Sequence, residues 1–533
     1  MAAAALELGL RLRGDGSWHR HQAPADVTSY EKGSEPHPDA FLPEVEMVLE
    51  EAQSFMNRVA SDPPPPFTIN SADLKFTVED NSVRLRWKTH PPMASVERPS
   101  EIIHNFTNER NELLIWSAVV TEIASGWVRP CDFNFIKSAG VAFLGPKDRF
   151  LFHPRETNDM LEDVEIHYPR PSDLLAPTRA ACAIKGDLKG AFRHVNVHSD
   201  DQPYLGMIID GVPMVWVALP FGLKQSPVIF SQALSSSMKS YSAEITPTIY
   251  VDDAAGTART TIIVVREGLA LAQHLYRTGW LPAVKKWFLR PVKILLFVGF
   301  LVNFETRKIH IRQEKAAAVY DLLHPLRSLP IDAPISPTNV AILRQGLGSI
   351  AWFSSVLTVL NAWRRPLDIA IRDGLWTMEA TNALEWFLTI LPQVHTWACP
   401  TSLYGVVLYL VTDASASGWG ATIVVEGKTI RMAGTLSADE RSWGSGPREI
   451  IAVLRAIQAT RERKIHFDSV SATLDATTAV GALKKWSLHS DHTNHLAEIA
   501  AMCVAGTAFA LKWASRESPE LKLADALSVS VDR

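Results

Sequence analysis

Cysteine is scarce in this sequence, and no two cysteines are close together. Four occur among 533 residues, at positions 131, 182, 399 and 503. Because no C-x₂-C pair is present, a disulfide framework and a zinc knuckle are both excluded, and a reducing compartment is expected. The protein is therefore expected to be intracellular, in the cytoplasm or the nucleus.

Long hydrophobic runs are also missing. The longest apolar stretches, residues 294–302 and 403–411, have about half the length that a membrane-spanning helix needs. The alanine-rich start contains Glu7 and has no basic segment before a hydrophobic core, so a secretory signal is not predicted. These absences predict a soluble protein that is neither secreted nor embedded in a membrane.

A large excess of charge of either sign is absent from the chain as a whole. The sequence has 53 Lys and Arg residues against 57 Asp and Glu residues. Residues 31–80 hold 11 of the acidic side chains and three of the basic ones, so the rest of the chain is net positive and nucleic acid stays a candidate partner. Because this acidic segment also contains the run Pro63–Pro66, we expect residues 1–95 to be a partly disordered lead-in.

Three carboxylates in the first half of the chain have the placement that a metal site needs. Asp187 ends an apolar strand predicted over residues 180–187, and Asp252 and Asp253 lie at the tip of a hairpin predicted over residues 244–257. Neighbouring strands are about 4.8 Å apart, so adjacent strands would bring these carboxylates together around two divalent cations. Oxygen ligands with open positions suit Mg²⁺. The alternative is that Asp-Asp is ordinary turn composition.

The C-terminal part of the chain carries a second group of carboxylates. Its predicted order is strand, strand, strand, helix, strand, helix, strand, over residues 406–413, 419–426, 428–433, 448–463, 469–474, 476–486 and 509–513. The acidic residues of this part are Asp413, Glu449, Asp475 and Asp525. Taken singly, Glu449 could complement a helix N-terminus and Asp475 could cap a helix. Two α/β catalytic units in series account for both groups.

Five sequence blocks around the first carboxylate group resemble those of retroelement reverse transcriptases, in the same order and spacing. The blocks are AIKGDLKGAF (183–192), LPFGLKQSPVIF (219–230), YVDD (250–253), VKKWFLRP (284–291) and FVGF (297–300). The resemblance implies a right-hand polymerase fold with fingers, palm and thumb, and an RNA-directed DNA polymerase activity. Its partners would be an RNA template, a DNA primer and dNTPs. Its cofactors would be two Mg²⁺ per active site, for which Mn²⁺ can substitute.

The resemblance also implies roles for the residues that handle metal and protons. Asp187 and Asp252 would ligate both metals, and Asp253 would assist them. Lys286 resembles the lysine that acts as general acid toward pyrophosphate. Because Lys285 stands beside it, this assignment is open by one position.

Another set of residues would bind the incoming nucleotide. In the block RFLFHPRETN, which resembles the fingers motif, Arg149 would contact the triphosphate and Arg155 would brace the loop. His153 stands where the family usually has Asp. Phe192 would lie under the sugar and exclude a 2′-hydroxyl, the alternative being a core aromatic. The residues implied to line the nucleotide and template path are Phe221, Gly222 and Gln225.

The C-terminal carboxylates, with the strand and helix order around them, resemble the ribonuclease H fold. The resemblance implies that Asp413, Glu449, Asp475 and Asp525 hold two Mg²⁺, and that a metal-activated water hydrolyses the RNA strand of an RNA–DNA hybrid. The block SRESPELKLADALS lacks the Asn that is often found before the Ala-Asp pair. We interpret this departure as loop variation.

These patterns together predict an α/β (α+β) chain with four parts. The parts are the acidic segment 1–95, reverse transcriptase fingers and palm over 96–312, a helical thumb and connection over 313–400, and a ribonuclease H-like domain over 401–533. The pattern TDAS followed by GWGA looks closest to DIRS-like (tyrosine-recombinase) retrotransposons, with a gypsy-type LTR element as runner-up. Two alternatives are a decayed or domesticated copy that binds nucleic acid without catalysis, and an RNA-dependent RNA polymerase, which Phe192 disfavours.

Histidine and tryptophan clusters in the C-terminal half have simpler explanations than ligand binding. His489, His492 and His495 have the spacing of one helix side, but no fourth ligand is near in the sequence, so a solvated polar segment is predicted rather than a zinc site. Five tryptophans are predicted to pack in a helical core rather than to form a template-stacking surface. They are Trp352, Trp363, Trp376, Trp386 and Trp397.

Overall fold

The computed structural model describes residues 10–12, 18–20, 27–62, 64–70, 74–89, 109–145, 149–176, 180–242, 244–245, 247–396, 398–400, 406–486 and 508–529. The predicted histidine triplet 489–495 and Trp397 lie outside these residues. Two compact units are formed, the first by Met1–Pro169 and Arg179–Leu295 and the second by Arg170–Thr178 and Leu296–Arg533. Within the described ranges, no helix combines the length and the apolar character that crossing a bilayer requires.

The first unit mixes short strands with amphipathic helices. Its strands are β1 (Leu10–Leu12), β2 (Trp18–Arg20), β3 (Glu35–Pro36), β4 (Val78–Glu79), β5 (Ser82–Val83), β6 (Val128–Pro130), β7 (Val141–Gly145), β8 (Arg149–His153), β9 (Cys182–Asp187), β10 (Asn196–Val197), β11 (Gly206–Ile209), β12 (Val212–Trp216), β13 (Thr248–Tyr250), β14 (Asp253–Ala258) and β15 (Phe288–Phe297). Its helices are α1 (Pro43–Ser61), α2 (Glu109–Ala124), α3 (Arg155–Met160), α4 (Ser226–Met238) and α5 (Thr261–Arg277).

The sheet that carries the first carboxylates has the strand order β13-β14-β9-β15, and β3 also pairs with β15. Strand β14 runs antiparallel to β9, with Asp253 opposite Asp187. Every residue of β9 is buried, which explains why the strand is a nearly continuous apolar run. Gly186 of β9 is needed for close packing, because a Cβ there would lie 2.8 Å from the ring of Trp287.

The prediction that residues 1–95 form a partly disordered lead-in, with order beginning near residue 95, is wrong for residues 27–62. Helix α1 packs against α5 and begins with Pro43, whose missing N–H costs nothing at a first helical position. Its apolar residues recur at helical spacing and are buried, while Glu44, Glu50 and Glu51 are exposed. The acidic residues are therefore the solvent side of an amphipathic helix.

The second unit contains two hairpin strands, a group of helices and a larger sheet. Its strands are β16 (Phe300–Asn303), β17 (Lys308–Ile311), β18 (Ala333–Pro334), β19 (Leu375–Trp376), β20 (Ala398–Pro400), β21 (Val407–Ala414), β22 (Gly418–Val425), β23 (Lys428–Thr435), β24 (Ser469–Leu474) and β25 (Ala508–Trp513). Its helices are α6 (Gln313–Leu323), α7 (Pro337–Ser354), α8 (Arg364–Asp373), α9 (Met378–Ile390), α10 (Ala438–Ser442), α11 (Ser445–Glu462), α12 (Thr477–Lys485) and α13 (Pro519–Val529).

The larger sheet has the order β23-β22-β21-β24-β25. Strands β21, β22 and β23 are antiparallel neighbours, whereas β24 is parallel to both β21 and β25. Helices α11 and α13 pack on β21 and β22. Gly420 of β22 allows α13 to approach, because a Cβ at this position would clash with the backbone of Ala524. The predicted α/β (α+β) class is confirmed.

Four of the five tryptophans singled out from the sequence lie in the described part of the second unit. Trp363 and Trp376 are buried, and Trp363 stacks on Trp386 with a centroid distance of 5.6 Å. Trp352 is 5.4 Å from the ring of Phe300. The prediction of core packing is confirmed for Trp363 and Trp376, although Trp376 lies on strand β19 rather than on a helix. Trp352 and Trp386 are half-buried.

Candidate active sites

The first carboxylate group forms where the β13–β14 hairpin meets the end of β9. Asp187 is the last residue of β9 and Asp253 the first of β14, and the two are direct cross-strand partners. Asp252 lies in the two-residue turn, where Val251 has a φ of 54°, a left-handed conformation that costs a β-branched residue energy. The amide of Leu188 donates a hydrogen bond to the carbonyl oxygen of Asp252 (3.0 Å). This bond holds the turn beside the end of β9.

Two lysines neutralise this first group. The ammonium of Lys286 is 2.9 Å from Oδ2 of Asp187, and that of Lys185 is 3.2 Å from Oδ1 of Asp253. Burial raises the pKa of Asp187 to about 6; Lys286 opposes the rise, and Asp252 and Asp253 add to it. A buried carboxylate that is costly to ionise beside two further carboxylates is a donor set that fits Mg²⁺. Of the two lysines proposed from the sequence as general acid, it is Lys286 that reaches the carboxylates.

The aromatic residues implied to bind the nucleotide pack together. Phe192 is 5% exposed, and its ring centroid is 4.9 Å from that of Phe221 and 5.5 Å from that of Phe230. Arg193 lies behind this cluster, bound to both carboxylate oxygens of Glu122 at 2.7 Å. The ring of Phe192 is therefore buried and fixed by its neighbours.

The other residues implied to bind the nucleotide differ in exposure and in what they contact. Arg149 begins β8, but its side chain lies outside what the structure describes, and Arg155 is exposed on α3. Gly222 has a φ of 95°, and a Cβ there would clash with the backbone of Phe152. Gln225 is buried, and its side-chain amide forms hydrogen bonds with backbone groups of residues 86 and 162. These bonds join Gln225 to two segments that are distant in sequence.

Sequence reasoning missed the residue that braces this loop. The side-chain amide of Asn158 donates to the carbonyl oxygen of Gly222 (2.9 Å) and accepts from the amide of Lys224 (2.9 Å). It thereby joins α3 to the LPFG block. Asn158 is the last residue of RFLFHPRETN, the block in which the resemblance implies a bracing role for Arg155.

The second carboxylate group is held by two parallel strands and a helix. Because β21 and β24 pair in register up to Val411 and Thr473, Asp413 and Asp475 stand at the same end of neighbouring strands. Glu449 is in the first turns of α11, which packs on β21. One carboxylate oxygen from each of these three residues lies within 4.8 Å of the others.

Burial and mutual repulsion perturb this second group strongly. Burial raises the pKa of Glu449 to about 9, with Asp413 and Asp475 adding to the rise. Burial likewise raises the pKa of Asp413 to about 6, against a hydrogen bond of 3.0 Å from the hydroxyl of Ser528. In the described part of the chain, Oε2 of Glu449 is buried without a hydrogen-bond partner. An unpaired buried oxygen among three carboxylates fits a divalent cation.

The fourth predicted carboxylate of this group stands apart from the other three. Asp525, on α13, is 3.2 Å from Nη2 of Arg516, whose Nε is 3.7 Å from Oδ2 of Asp475. The structure thus brings Asp525 to the group through an arginine that the sequence did not point to. No motif marks Arg516, which lies between β25 and α13 in the SRESPELKLADALS block.

The raised pKa values predict that metal-free protein loses stability as the pH rises. The folded state keeps the proton of Glu449 up to about pH 9, whereas the unfolded chain releases it near the ordinary pKa of 4.5. The stabilisation that protonated Glu449 gives to the folded state is therefore fully present below pH 4.5 and is lost as the pH rises through 9. Thermal melts with EDTA at pH 6, 7.5 and 9 should show the fall, and Mg²⁺ should reverse it. Glu449→Gln should flatten the dependence. An equal slope in this variant would contradict the assignment.

Comparisons with known proteins support the first site most directly. Residues 150–279 match the family model described as "Reverse transcriptase (RNA-dependent DNA polymerase)". The chain is 23% identical over 352 residues to the genome polyprotein of Petunia vein clearing virus (isolate Shepherd). It is 22% identical over 422 residues to the retrovirus-related Pol polyprotein from transposon gypsy of Drosophila melanogaster. These alignments cover 63% and 74% of this chain, but the chain spans only 15% and 39% of the relatives.

A solved structure with a similar fold is the foamy viral protease-reverse transcriptase in complex with dsDNA. The two chains are 15% identical with a TM-score of 0.50, and the match covers 87% of this chain and 94% of the other. This likeness supports the polymerase fold. The chain therefore contains a reverse transcriptase domain and has relatives among retroviral and gypsy-type Pol polyproteins.

Proposed function

We propose that this chain is an RNA-directed DNA polymerase of a retrotransposon that also cleaves the RNA strand of RNA–DNA hybrids. The observation that carries the polymerase activity is the pairing of Asp187 with Asp253 beside the turn that presents Asp252. These three residues lie within the stretch that matches the reverse transcriptase family. Its substrates would be an RNA template, a DNA primer and dNTPs.

For polymerisation, Asp187 and Asp252 would hold the metals and Asp253 would assist them. Two Mg²⁺, or Mn²⁺ in their place, would align the primer 3′-hydroxyl with the α-phosphate and offset the developing charge. Lys286, which contacts Asp187, would give a proton to the departing pyrophosphate. Phe192 would close the side of the site where a 2′-hydroxyl would enter.

For hybrid cleavage, the supporting observation is the cluster of Asp413, Glu449 and Asp475 on a sheet with three antiparallel strands and two parallel ones. These carboxylates would hold two Mg²⁺, with Asp525 nearby as a fourth. Because Glu449 is buried and holds its proton at neutral pH without metal, binding a cation would require its deprotonation.

The test of the polymerase activity is labelled dNTP incorporation on a primed RNA template with Mg²⁺, compared with rNTP. Template-dependent extension with dNTP and little with rNTP is expected. Labelled RNA in a preformed hybrid, incubated in parallel without dNTP, should be cut, while the same RNA alone should stay intact. Extension by rNTP would indicate an RNA polymerase, and binding without either reaction would indicate a decayed copy.

The element type is a finer proposal. The TDAS and GWGA blocks favour a DIRS-like element, whereas the match to the transposon gypsy polyprotein over 74% of this chain favours the gypsy-type runner-up. An intracellular location, in cytoplasm or nucleus, is proposed from the scarcity of cysteine.

A further inference from the structure

The N-terminal segment reaches the first carboxylate group through a buried lysine. Lys185 lies two residues before Asp187 on β9, so its side chain projects from the same face of the sheet. Its ammonium is 2.8 Å from Oε2 of Glu31 and 3.2 Å from Oδ1 of Asp253. Because the lysine side chain is only 10% exposed, these two carboxylates are what stabilises its charge.

The position of Glu31 is fixed by the backbone around it. The amide of Ser34 donates to the carbonyl oxygen of Glu31 (2.9 Å), and the amide of His37 donates to that of Pro291 (2.9 Å). Between these bonds, β3 pairs with β15, and β15 is itself a neighbour of β9. The segment that carries Glu31 is therefore part of the sheet that carries the carboxylates.

We propose that Glu31 and Lys185 are positioning residues of the polymerase site and that they set its affinity for divalent cations. Lys185 holds the third carboxylate, Asp253, and keeps it from joining fully in metal binding. Glu31 also binds the ammonium of Lys185, and so limits how strongly that ammonium offsets the negative charge of the first carboxylate group. This inference rests on the proposed function, because it requires that the group binds a cation.

Removing the two charges should change metal binding in opposite directions. In Glu31→Gln the ammonium is left to Asp253 alone, so the group is less negative by one charge and binds a cation more weakly. In Lys185→Met the positive neighbour is lost, and the cation binds more tightly. One charge at this partial burial is expected to change the dissociation constant by about three- to tenfold. The double variant should lie between the two single ones.

The experiment is a titration of the full chain with Mn²⁺, with free Mn²⁺ followed by electron paramagnetic resonance. All variants carry Asp413→Asn, so that the second carboxylate group is weakened in each. A thermal melt of each preparation shows whether it is folded. Glu31→Gln is the primary variant, since Glu31 is 29% exposed and glutamine keeps its hydrogen-bonding capacity.

The matched control is Glu46→Gln, which breaks another ion pair between the N-terminal segment and the same sheet. Glu46 binds Arg290 at 2.7 Å and is paired there rather than with Lys185, so this variant should lower the melting temperature without changing Mn²⁺ affinity. Opposite shifts in Glu31→Gln and Lys185→Met, absent from the control, would support the inference. Unchanged affinity, or shifts of one sign, in folded variants would overturn it. If Asp187→Asn leaves Mn²⁺ binding intact, the polymerase metal site fails, and the inference with it.

Discussion

Asp252→Asn should reduce DNA synthesis on a primed RNA template by more than about 100-fold and leave hybrid cleavage unchanged. The substitution keeps the size of the side chain but removes the charge that the turn presents beside Asp187. The second carboxylate group is built from other strands and a separate helix, so its geometry does not depend on this turn. Primer extension and cleavage of a preformed hybrid, measured on one preparation, give the two rates.

Asp413→Asn is the reciprocal control. It removes a ligand from the second group, where three carboxylate oxygens lie within 4.8 Å of one another, and should reduce cleavage while leaving primer extension intact. Melting curves for both variants, with Mg²⁺ present, show whether either has lost its fold. If either folded variant loses both activities, the model of two independent metal sites is wrong.

Local patterns predicted the elements that carry both carboxylate groups. The strand ending in Asp187 and the hairpin tip at Asp252 and Asp253 are short-range features, since a buried strand and a polar turn are each visible within about ten residues. The same holds for β21 and β24, whose ends place Asp413 and Asp475 side by side once the two strands pair in parallel. What the pattern could not supply was the pairing itself, which the structure shows.

The composition of the acidic N-terminal segment predicts disorder, whereas its apolar periodicity predicts the helix that the structure has. Charge and proline content over residues 31–80 favoured disorder, but the apolar positions of α1 repeat at helical spacing, and burial of that face outweighs the composition. The contact between Glu31 and Lys185 spans 154 positions. No local signal marks such a pair, because neither residue belongs to a sequence pattern that includes the other.

Side chains with family-like roles were the least predictable part of the site. Gln225 matches a motif position, yet its amide is occupied by backbone groups of residues 86 and 162. Asn158 and Arg516 lie in recognised blocks, but their contacts depend on how distant segments pack. Motif spacing identifies which segments meet, whereas hydrogen-bond partners are decided by the packed fold.

The ring of Phe192 offers the sharpest test of substrate choice. It lies in the short 3₁₀ helix Ala191–His194 that follows β9, five residues after Asp187. Packed against Phe221 and Phe230, the residue is 5% exposed. A rigid edge beside the metal-binding carboxylates would exclude a 2′-hydroxyl by steric clash rather than by hydrogen bonding. The packing shows a structural role for this ring, and the selective role is what substitution at this position tests.

Phe192→Val should raise the incorporation of rNTP relative to dNTP by at least about tenfold, because it opens space while keeping part of the packing. Phe192→Ala should do the same but cost about 3–5 kcal/mol of stability. Phe55→Ala is the matched control: Phe55 is a buried ring of α1 that packs against Tyr276, so this variant should lose similar stability without a change in sugar preference. Single-nucleotide incorporation with matched dNTP and rNTP, with a melt of each preparation, measures both effects. A stable Phe192→Val variant with the wild-type sugar ratio would show that the ring is a core residue only.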